Sequence, residues 1–545
     1  MLKKRIFLYY TLAVLMIPNV MLCVTEGLGA IASAANILLP GGVILLLLAC
    51  SRSIGRNIWL AFPFFFFAAF QLVLMNLYGR SVIAVDMFLN LVTTNVSEVS
   101  ELLGNMLTTL LVVFMLYLPP LIAGYIMCRH GISLDRRTLR WARISACASV
   151  IAGMILCITA GRIDRDFSVK RDIYPANVVY NVYLAFDRTA RTSNYHETSA
   201  AFRYDAVPTH PADSAETYIM VIGETSRASD WQLCGYSRST NPLLSRHDDI
   251  FVARNTYSES NTTHKSVPML LSPVDAETFD RDIYTVKSII SAFKEAGFRC
   301  SFISNQRYNH SFIDFFAEEA DMTLFLKETD MEFDPSVPED LHMLVPLDRE
   351  LAKPDRKKLI VLHTYGSHFN YRDRYTDEFA RFLPDDYDDA TSRCRDRLIN
   401  AYDNTITVTD RLLHECISRL DSVDGMIGGI LYTSDHGEDI FDDESGRFLH
   451  ASPVPSIQQV HVPLLAWVSS AWRGLYPEKA RALAENTGKF VSSSRSFAPT
   501  IADMAGLESG HIDTTASLVS PGYTPREALY LDDHNRAVPL RKIVR

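Results

Sequence analysis

The sequence has 545 residues, too many for one compact domain, and 48% of them are hydrophobic. Its net charge of -10, with no basic stripe interleaved with aromatic residues, argues against a nucleic acid partner. The apolar residues concentrate before residue 160, so we expect a membrane half followed by a polar half.

Five apolar stretches are each long enough to cross a bilayer, which requires about 20 residues. They cover residues 6–25, 31–50, 58–77, 106–127 and 141–160. Residues 1–160 are therefore predicted to form a transmembrane domain of five helices. A cleaved signal peptide is the alternative for the first stretch, because Ala32-Ser33-Ala34 resembles a cleavage site. The long apolar core and the four stretches that follow favour a membrane helix.

The basic loops predict the orientation of these helices, since such loops stay in the cytoplasm. Three clusters agree with a cytoplasmic N-terminus: Lys3, Lys4 and Arg5; Arg52 and Arg56; and Arg129, Arg136, Arg137, Arg140 and Arg143. The fifth helix then carries the rest of the chain outward. We expect an inner membrane protein with a periplasmic C-terminal domain, or an extracellular one in a cell with a single membrane.

Residues 161–215 are predicted to be a linker, with a tyrosine-rich interfacial helix and then a polar, turn-rich boundary. From residue 216 to 545, short apolar runs alternate with helical patterns. The predicted strands cover residues 218–222, 301–303, 358–363, 428–432 and 462–468. This alternation is typical of an α/β domain with a mostly parallel sheet covered by helices.

Polar residues follow these strands, at the edge where parallel sheets build their sites. They are Glu224 after the first strand, Asn305 and Gln306 after the second, Gly366-Ser367-His368 after the third, and Asp435-His436 after the fourth. Thr262 and Thr263 lie in a hydroxyl-rich segment between the first two strands. Each residue alone has an ordinary structural explanation, such as helix capping. Together they predict an oxygen-rich zinc site with a nucleophilic hydroxyl on the metal.

The motifs resemble those of the phosphoethanolamine transferases of the alkaline phosphatase and sulfatase superfamily, whose best-known members modify lipid A. The matching segments, in chain order, are Gly223-Glu224-Thr225-Ser226-Arg227, Gly235-Tyr236, Thr240-Asn241-Pro242, Ser266-Val267-Pro268, Gly366-Ser367-His368, Tyr402-Asp403-Asn404, Ser434-Asp435-His436-Gly437-Glu438, Leu449-His450 and His461-Val462-Pro463-Leu464. The resemblance implies a membrane anchor with an alkaline phosphatase/sulfatase-like domain, in agreement with the pattern of apolar segments.

The resemblance also implies roles for individual residues. The zinc ligands would be Glu224, Asp435, His436 and the hydroxyl of the nucleophile, which is Thr263, with the adjacent Thr262 as the alternative. His368 and His450 would hold the phosphate or a second zinc ion. Asn305 is expected to be a further phosphate contact. Lys265 departs from the family, which has small or aromatic residues directly after the nucleophile; it is expected either to stabilise the phosphate charge or, with equal weight, to be a solvated loop residue. The family often ties the nucleophile loop with a cysteine pair, which this chain lacks, so another device must hold the loop.

The implied activity is the transfer of phosphoethanolamine from phosphatidylethanolamine to lipid A or another lipopolysaccharide or envelope glycan, through a covalent threonine intermediate and with Zn²⁺. The expected partners are those two lipids and the surrounding membrane, and we expect a monomer. Phosphoglycerol transfer in the same superfamily is one alternative, and a non-catalytic binding or sensing protein is another. A sulfatase is disfavoured because no cysteine or serine stands in the required motif at the nucleophile.

Overall fold

The computed structural model describes residues 2–78, 82–93, 107–165, 167–444 and 446–542. The chain divides into two compact units. The first comprises Met1–Asp187 with Asp443–Arg447, and the second comprises Arg188–Asp442 with Phe448–Arg545.

The first unit is helical. Its helices, together with the one that leads out of it, are α1 (Leu2–Leu15), α2 (Ile17–Thr25), α3 (Ala30–Leu48), α4 (Ile54–Leu60), α5 (Phe62–Tyr78), α6 (Val85–Thr93), α7 (Leu107–Arg129), α8 (Arg136–Ile163), α9 (Val169–Asp172) and α10 (Ala176–Ser193). Four helical segments in the described chain have the length and hydropathy to cross a membrane: Lys4–Thr25, Ala30–Leu48, Thr109–Arg129 and Arg136–Ile163.

A fifth membrane segment is obtained when α4 and the first part of α5 count as one span with a bend of 54°. The sequence predicts one membrane span over residues 58–77 here. The bend follows from Pro63, the second residue of α5, because proline has no amide hydrogen to continue the helical ladder. The predicted anchor of N-terminal membrane helices is therefore confirmed, with four candidate spans in the described residues, or five if the bent pair counts as one.

The second unit is built on strands flanked by helices. The strands are β1 (Val207–Pro208), β2 (Glu216–Gly223), β3 (Ile250–Ala253), β4 (Thr256–Tyr257), β5 (Arg299–Ser304), β6 (Met322–Phe325), β7 (Lys357–His363), β8 (Ile427–Ser434), β9 (Asp439–Ile440), β10 (Phe448–Leu449), β11 (Leu464–Val468), β12 (Val491–Ser492), β13 (Leu507–Glu508), β14 (Leu529–Leu531) and β15 (Ala537–Pro539). The helices are α11 (Tyr195–Thr198), α12 (Thr263–Leu270), α13 (Phe279–Asp282), α14 (Ile289–Glu295), α15 (Phe312–Ala317), α16 (Leu344–Leu351), α17 (Arg395–Asp421), α18 (Ile457–Val460), α19 (Ser470–Leu475), α20 (Pro477–Asn486) and α21 (Ser493–Met504).

The central sheet has seven strands in the order β3-β11-β8-β2-β7-β5-β6. Strands β8, β2, β7, β5 and β6 are parallel, whereas β11 runs antiparallel to both of its neighbours. Alternate residues of β2 enter opposite hydrophobic cores: Tyr218 and Met220 lie in one, and Ile219 and Val221 in the other. Burial on both faces explains why β2 is an unbroken apolar run, and the predicted fold class is confirmed.

The register of the sheet brings the strand ends to one level. Ile222 of β2 pairs with His363 of β7, Ser304 of β5 pairs with the same histidine, and Gly223 pairs with Ser434 of β8. The residues that follow these strands therefore emerge side by side at the carboxyl edge of the sheet, where open α/β sheets place their ligands.

Candidate metal and nucleophile site

Three residues from two adjacent strand ends form a cluster of metal-ligating atoms. One ligand atom each of Glu224, Asp435 and His436 lies within 4.8 Å of the other two, and all three side chains are buried. Nε2 of His436 lies 3.3 Å from Oδ2 of Asp435 and 3.6 Å from Oε1 of Glu224. This set of carboxylate oxygens and an imidazole nitrogen is one that Zn²⁺ accepts.

Thr263, the first residue of α12, faces this cluster. Its Oγ1 lies 3.2 Å from Nε2 of His436 and 3.4 Å from each carboxylate oxygen of Glu224. The hydroxyl of Thr262 instead lies 3.1 Å from Oγ of Ser260. Thr263 therefore lies where a fourth ligand would be. Thr262 has no described contact with the three ligands.

Thr225 links the two carboxylates from a strained backbone position. Its φ of 59° lies in the left-handed region, which is rare for a β-branched residue. From there its hydroxyl donates to Oε1 of Glu224 at 2.6 Å, and its N–H donates to Oδ1 of Asp435 at 3.1 Å. Strain of this kind persists only where surrounding contacts hold it, and it often marks functional sites.

The electrostatics of the cluster favour a bound cation. Burial raises the pKa of Glu224, and burial together with the Glu224 charge holds the pKa of Asp435 well above its usual range. Burial, with a smaller effect of His450, holds the pKa of His436 well below its usual range. A divalent cation between the two carboxylates would offset their repulsion, so the residues present fit a zinc ion.

Hydrogen bonds fix the tautomer of each histidine at the site. Nδ1 of His436 donates to the carbonyl of Gly437 at 3.0 Å, and Nδ1 of His368 donates to the carbonyl of Phe369 at 2.7 Å. Nδ1 of His450 donates to Oε2 of Glu438 at 3.0 Å. Because these oxygens only accept, Nδ1 carries a hydrogen in each ring, and in the neutral form the lone pair lies on Nε2, the nitrogen that binds a metal or a proton.

His368 and His450 lie together beside the cluster. The ring of His450 is 4.4 Å from that of His436 and 5.8 Å from that of His368, measured between centroids. Burial, with a smaller effect of the His450 charge, lowers the pKa of His368 to about 3, so this ring is neutral at physiological pH.

Gly366 allows the loop that carries His368 to approach Glu224. Its φ is 53°, and a Cβ at this position would come within 2.4 Å of the carbonyl oxygen of Glu224. The next amide, that of Ser367, donates to that same carbonyl at 3.0 Å. A side chain at residue 366 would separate the two loops, so glycine is required here.

The side chains of Asn305 and Lys265, both predicted to contact the phosphate, form hydrogen bonds to other residues. Nδ2 of Asn305 donates to Oδ1 of Asp340 at 2.7 Å, and Nζ of Lys265 donates to the carbonyl of Asp532 at 3.1 Å. Two residues without a predicted role reach the ligands instead. Nε2 of Gln306 donates to Oε2 of Glu224 at 3.0 Å, and Oγ of Ser266 donates to Oδ2 of Asp435 at 3.3 Å. Both belong to segments that the sequence already singles out.

A sequence model of the family described as Sulfatase matches residues 216–507, a range that includes the entire central sheet. The chain belongs to the sulfatase family. The cysteines of this sulfatase-family protein are free thiols throughout the described residues, so no disulfide ties its nucleophile loop.

Curated relatives extend the similarity toward the N-terminus. The Kdo(2)-lipid A phosphoethanolamine 7''-transferase of Escherichia coli K12 is 26% identical over 497 residues, which cover 85% of this chain and 84% of that protein. The phosphoethanolamine transferase EptA of Salmonella typhimurium is 28% identical over 315 residues, covering 57% of this chain and 56% of that protein.

Solved structures show the same fold. The integral membrane protein lipooligosaccharide phosphoethanolamine transferase A (EptA) from Neisseria meningitidis gives a TM-score of 0.73 at 21% identity, covering 94% of this chain and 97% of that one. The zinc complex of the C-terminal periplasmic domain of EcEptC from Escherichia coli gives 0.54 at 23% identity, covering 61% and 94%. The predicted family resemblance is confirmed, and so is an inner membrane protein with N-terminal membrane helices and a periplasmic C-terminal domain.

Proposed function

We propose that this protein transfers phosphoethanolamine from phosphatidylethanolamine to lipid A, or to another lipopolysaccharide or envelope glycan acceptor. The observation that carries the proposal is the contact of Oγ1 of Thr263 with Glu224 and His436 at the carboxyl edge of the sheet. Relatives named for phosphoethanolamine transfer, one of them aligned over most of the chain, support the same chemistry.

The residues that would hold zinc are Glu224, Asp435, His436 and Thr263. When bound, the ion would lower the pKa of the Thr263 hydroxyl and neutralise charge on the phosphate. The hydrogen bond from Gln306 would orient the Glu224 carboxylate toward the ion. The sequence analysis predicts no residue that orients Glu224. His368 and His450 are proposed to hold a second zinc ion through Nε2 or, when this nitrogen is protonated, to donate from it to the phosphate oxygens, since Nδ1 of each ring is engaged with a protein oxygen.

The reaction has two displacement steps at one phosphorus atom. Oγ1 of Thr263 bonds to the phosphorus, the bond from phosphorus to the diacylglycerol oxygen breaks, and diacylglycerol leaves with a proton. An acceptor hydroxyl or phosphate oxygen then bonds to the phosphorus and loses its proton, the bond to Thr263 breaks, and Oγ1 of Thr263 regains a proton. Such a ping-pong sequence replaces one difficult transfer by two easier ones. The donor and lipid A are both membrane lipids, which gives the N-terminal helices a function.

The proposal is tested by the intact mass of the purified full-length protein after incubation with phosphatidylethanolamine and Zn²⁺, followed by peptide mapping. We expect a phosphoethanolamine adduct on Thr263 and release of diacylglycerol. Phosphatidylglycerol serves as the matched donor. If it forms the adduct and phosphatidylethanolamine does not, the protein is a phosphoglycerol transferase. If neither lipid yields an adduct or diacylglycerol, the proposed function is wrong.

A further inference from the structure

His450 lies between two residues with a strained backbone. The φ of Leu449 is 67° and that of Ala451 is 61°, both in the left-handed region. For residues with a side chain this region is disfavoured, because Cβ approaches the following carbonyl oxygen. Such a loop keeps its shape only where other contacts determine it. The contacts that hold these two residues therefore decide where the imidazole of His450 lies.

Two buried residues hold the strained backbone, Gln459 through its side chain and Asn261 through its main chain. Nε2 of Gln459 donates to the carbonyl of Leu449 at 3.1 Å, and the N–H of Ala451 donates to the carbonyl of Asn261 at 3.1 Å. Nδ2 of Asn261 donates to Oε1 of Gln459 at 2.6 Å and to the carbonyl of Ser452 at 2.8 Å. Asn261 and Gln459 thus form a single unit, the amide clamp, around the His450 loop.

The amide clamp is itself fixed at both ends. Oδ2 of Asp439 accepts from Nε2 of Gln459 at 2.7 Å, and the hydroxyl of Tyr530 donates to Oδ1 of Asn261 at 2.7 Å. Asn261 is 2% exposed and Gln459 is 0% exposed. A buried network whose donors and acceptors are paired specifies one geometry, since any other arrangement leaves polar groups unsatisfied away from water.

The amide clamp also reaches the other side of the site. Asn261 precedes Thr263 by two residues in the chain. The N–H of Gly437 donates to the carbonyl of Gln459 at 2.9 Å, and the carbonyl of Gly437 accepts from Nδ1 of His436. Asn261 and Gln459, through their main chains and side chains together, therefore connect the nucleophile segment, the His436 loop and the His450 loop.

We propose that Asn261 and Gln459 are positioning residues, which set His450 against His436 and Thr263 for the transfer reaction and so replace a disulfide as the device that holds the nucleophile loop. The inference rests on the proposed function, because the reaction it serves is phosphoethanolamine transfer. Neither residue touches the reacting atoms in this proposal. Their effect is exerted through the loop on which His450 lies.

The test uses the full-length Gln459→Met protein, which keeps a similar side-chain volume and loses the amide. We expect kcat/KM to fall about tenfold or more, with zinc content unchanged. Tyr530→Phe, which removes only the hydroxyl bonded to Asn261, should give a smaller loss in the same direction. The matched control is Asn486→Ala, because Asn486 is also 2% exposed and its amide bonds two backbone carbonyls, those of Leu518 and Ser520. This control should stay within about twofold of the native protein.

A double-mutant cycle separates positioning from general destabilisation. In a His450→Ala background, Gln459→Met should cost little further activity, because the group that it positions is gone. If the two losses multiply, the positioning role is overturned.

Hydrogen exchange of residues 448–453 gives a readout that does not depend on activity. It should be faster in Gln459→Met than in the native protein or in Asn486→Ala, and equal rates would overturn the amide clamp. Absence of transfer by the native protein would overturn the proposed function instead, with the hydrogen exchange still deciding whether the amide clamp exists.

Discussion

Oγ1 of Thr263 lies 3.2 Å from Nε2 of His436, a nitrogen that keeps its lone pair because Nδ1 of the same ring donates to the carbonyl of Gly437. The hydroxyl therefore faces a lone pair and two carboxylate oxygens of Glu224 rather than competing donors. This environment favours loss of the hydroxyl proton, which a nucleophilic threonine requires.

Thr263→Ala should abolish the covalent adduct and lower phosphoethanolamine transfer on the order of 10³-fold or more, because no other group replaces the nucleophile. Thr263→Ser should retain measurable transfer. Mass spectrometry of the adduct and a diacylglycerol release assay check both. The matched control is Thr262→Ala, because the hydroxyl of Thr262 contacts Ser260 and not the cluster of metal-ligating atoms. An adduct that persists in Thr263→Ala but not in Thr262→Ala would move the nucleophile by one residue.

The sequence predicted the five central strands of the sheet and missed its two edge strands. β3 and β6 each have only four residues and are largely half-buried; the apolar run of β3 ends after these four residues, and Thr323 interrupts that of β6. The central strands β2 and β7 are buried at every position, and such strands are recognisable by composition alone. Burial on both faces is what makes a strand visible in a sequence.

The sequence could not show which of the two residues, Asn305 or Gln306, contacts Glu224. Both follow β5, and both are amides, but the loop backbone directs Asn305 toward Asp340 and Gln306 toward Glu224. Likewise, the clustering of His450 with His436 depends on a loop with two left-handed residues, Leu449 and Ala451, which no local pattern indicates. Residues at the ends of long strands could be placed from the sequence, whereas side-chain directions in the loops could not.

Gln306→Ala should weaken zinc binding about 10- to 100-fold, because it removes the hydrogen bond that orients Glu224. The measurement is the zinc retained by the full-length protein during titration with a competing chelator. Gln232→Ala is a suitable control, since Gln232 is also half-buried and its amide oxygen accepts from Ser239. Equal zinc retention in the two variants would show that Gln306 has no part in holding the metal ligand.

Deletion of the gene should remove phosphoethanolamine from lipid A and raise sensitivity to polymyxin, because the ethanolamine ammonium lowers the affinity of the envelope for cationic peptides. Mass spectra of lipid A and polymyxin inhibition assays measure the two effects. Expression of the native protein should restore both, and expression of Thr263→Ala should restore neither. Unchanged lipid A masses after deletion would exclude lipid A as the acceptor and direct the search to other envelope glycans.

Glu259 should make the second unit less stable as pH rises from 5 to 8. Burial, with a smaller effect of the Asp275 charge, raises the pKa of this carboxyl from 4.5 to about 7. A raised folded-state pKa stabilises the fold below pH 4.5, and this stabilisation, about 3 kcal/mol, is lost as pH rises through 7. Glu259→Gln should not show this loss in urea unfolding followed by fluorescence of the buried Trp231, Trp467 and Trp472.

Asp513→Asn is the control for this pH dependence. Burial acts to raise the pKa of Asp513, but hydrogen bonds from Thr515 and Arg495 lower it overall, so Asp513 changes the stability only at pH values below 4. Parallel pH profiles for the native protein and Glu259→Gln would contradict the raised pKa.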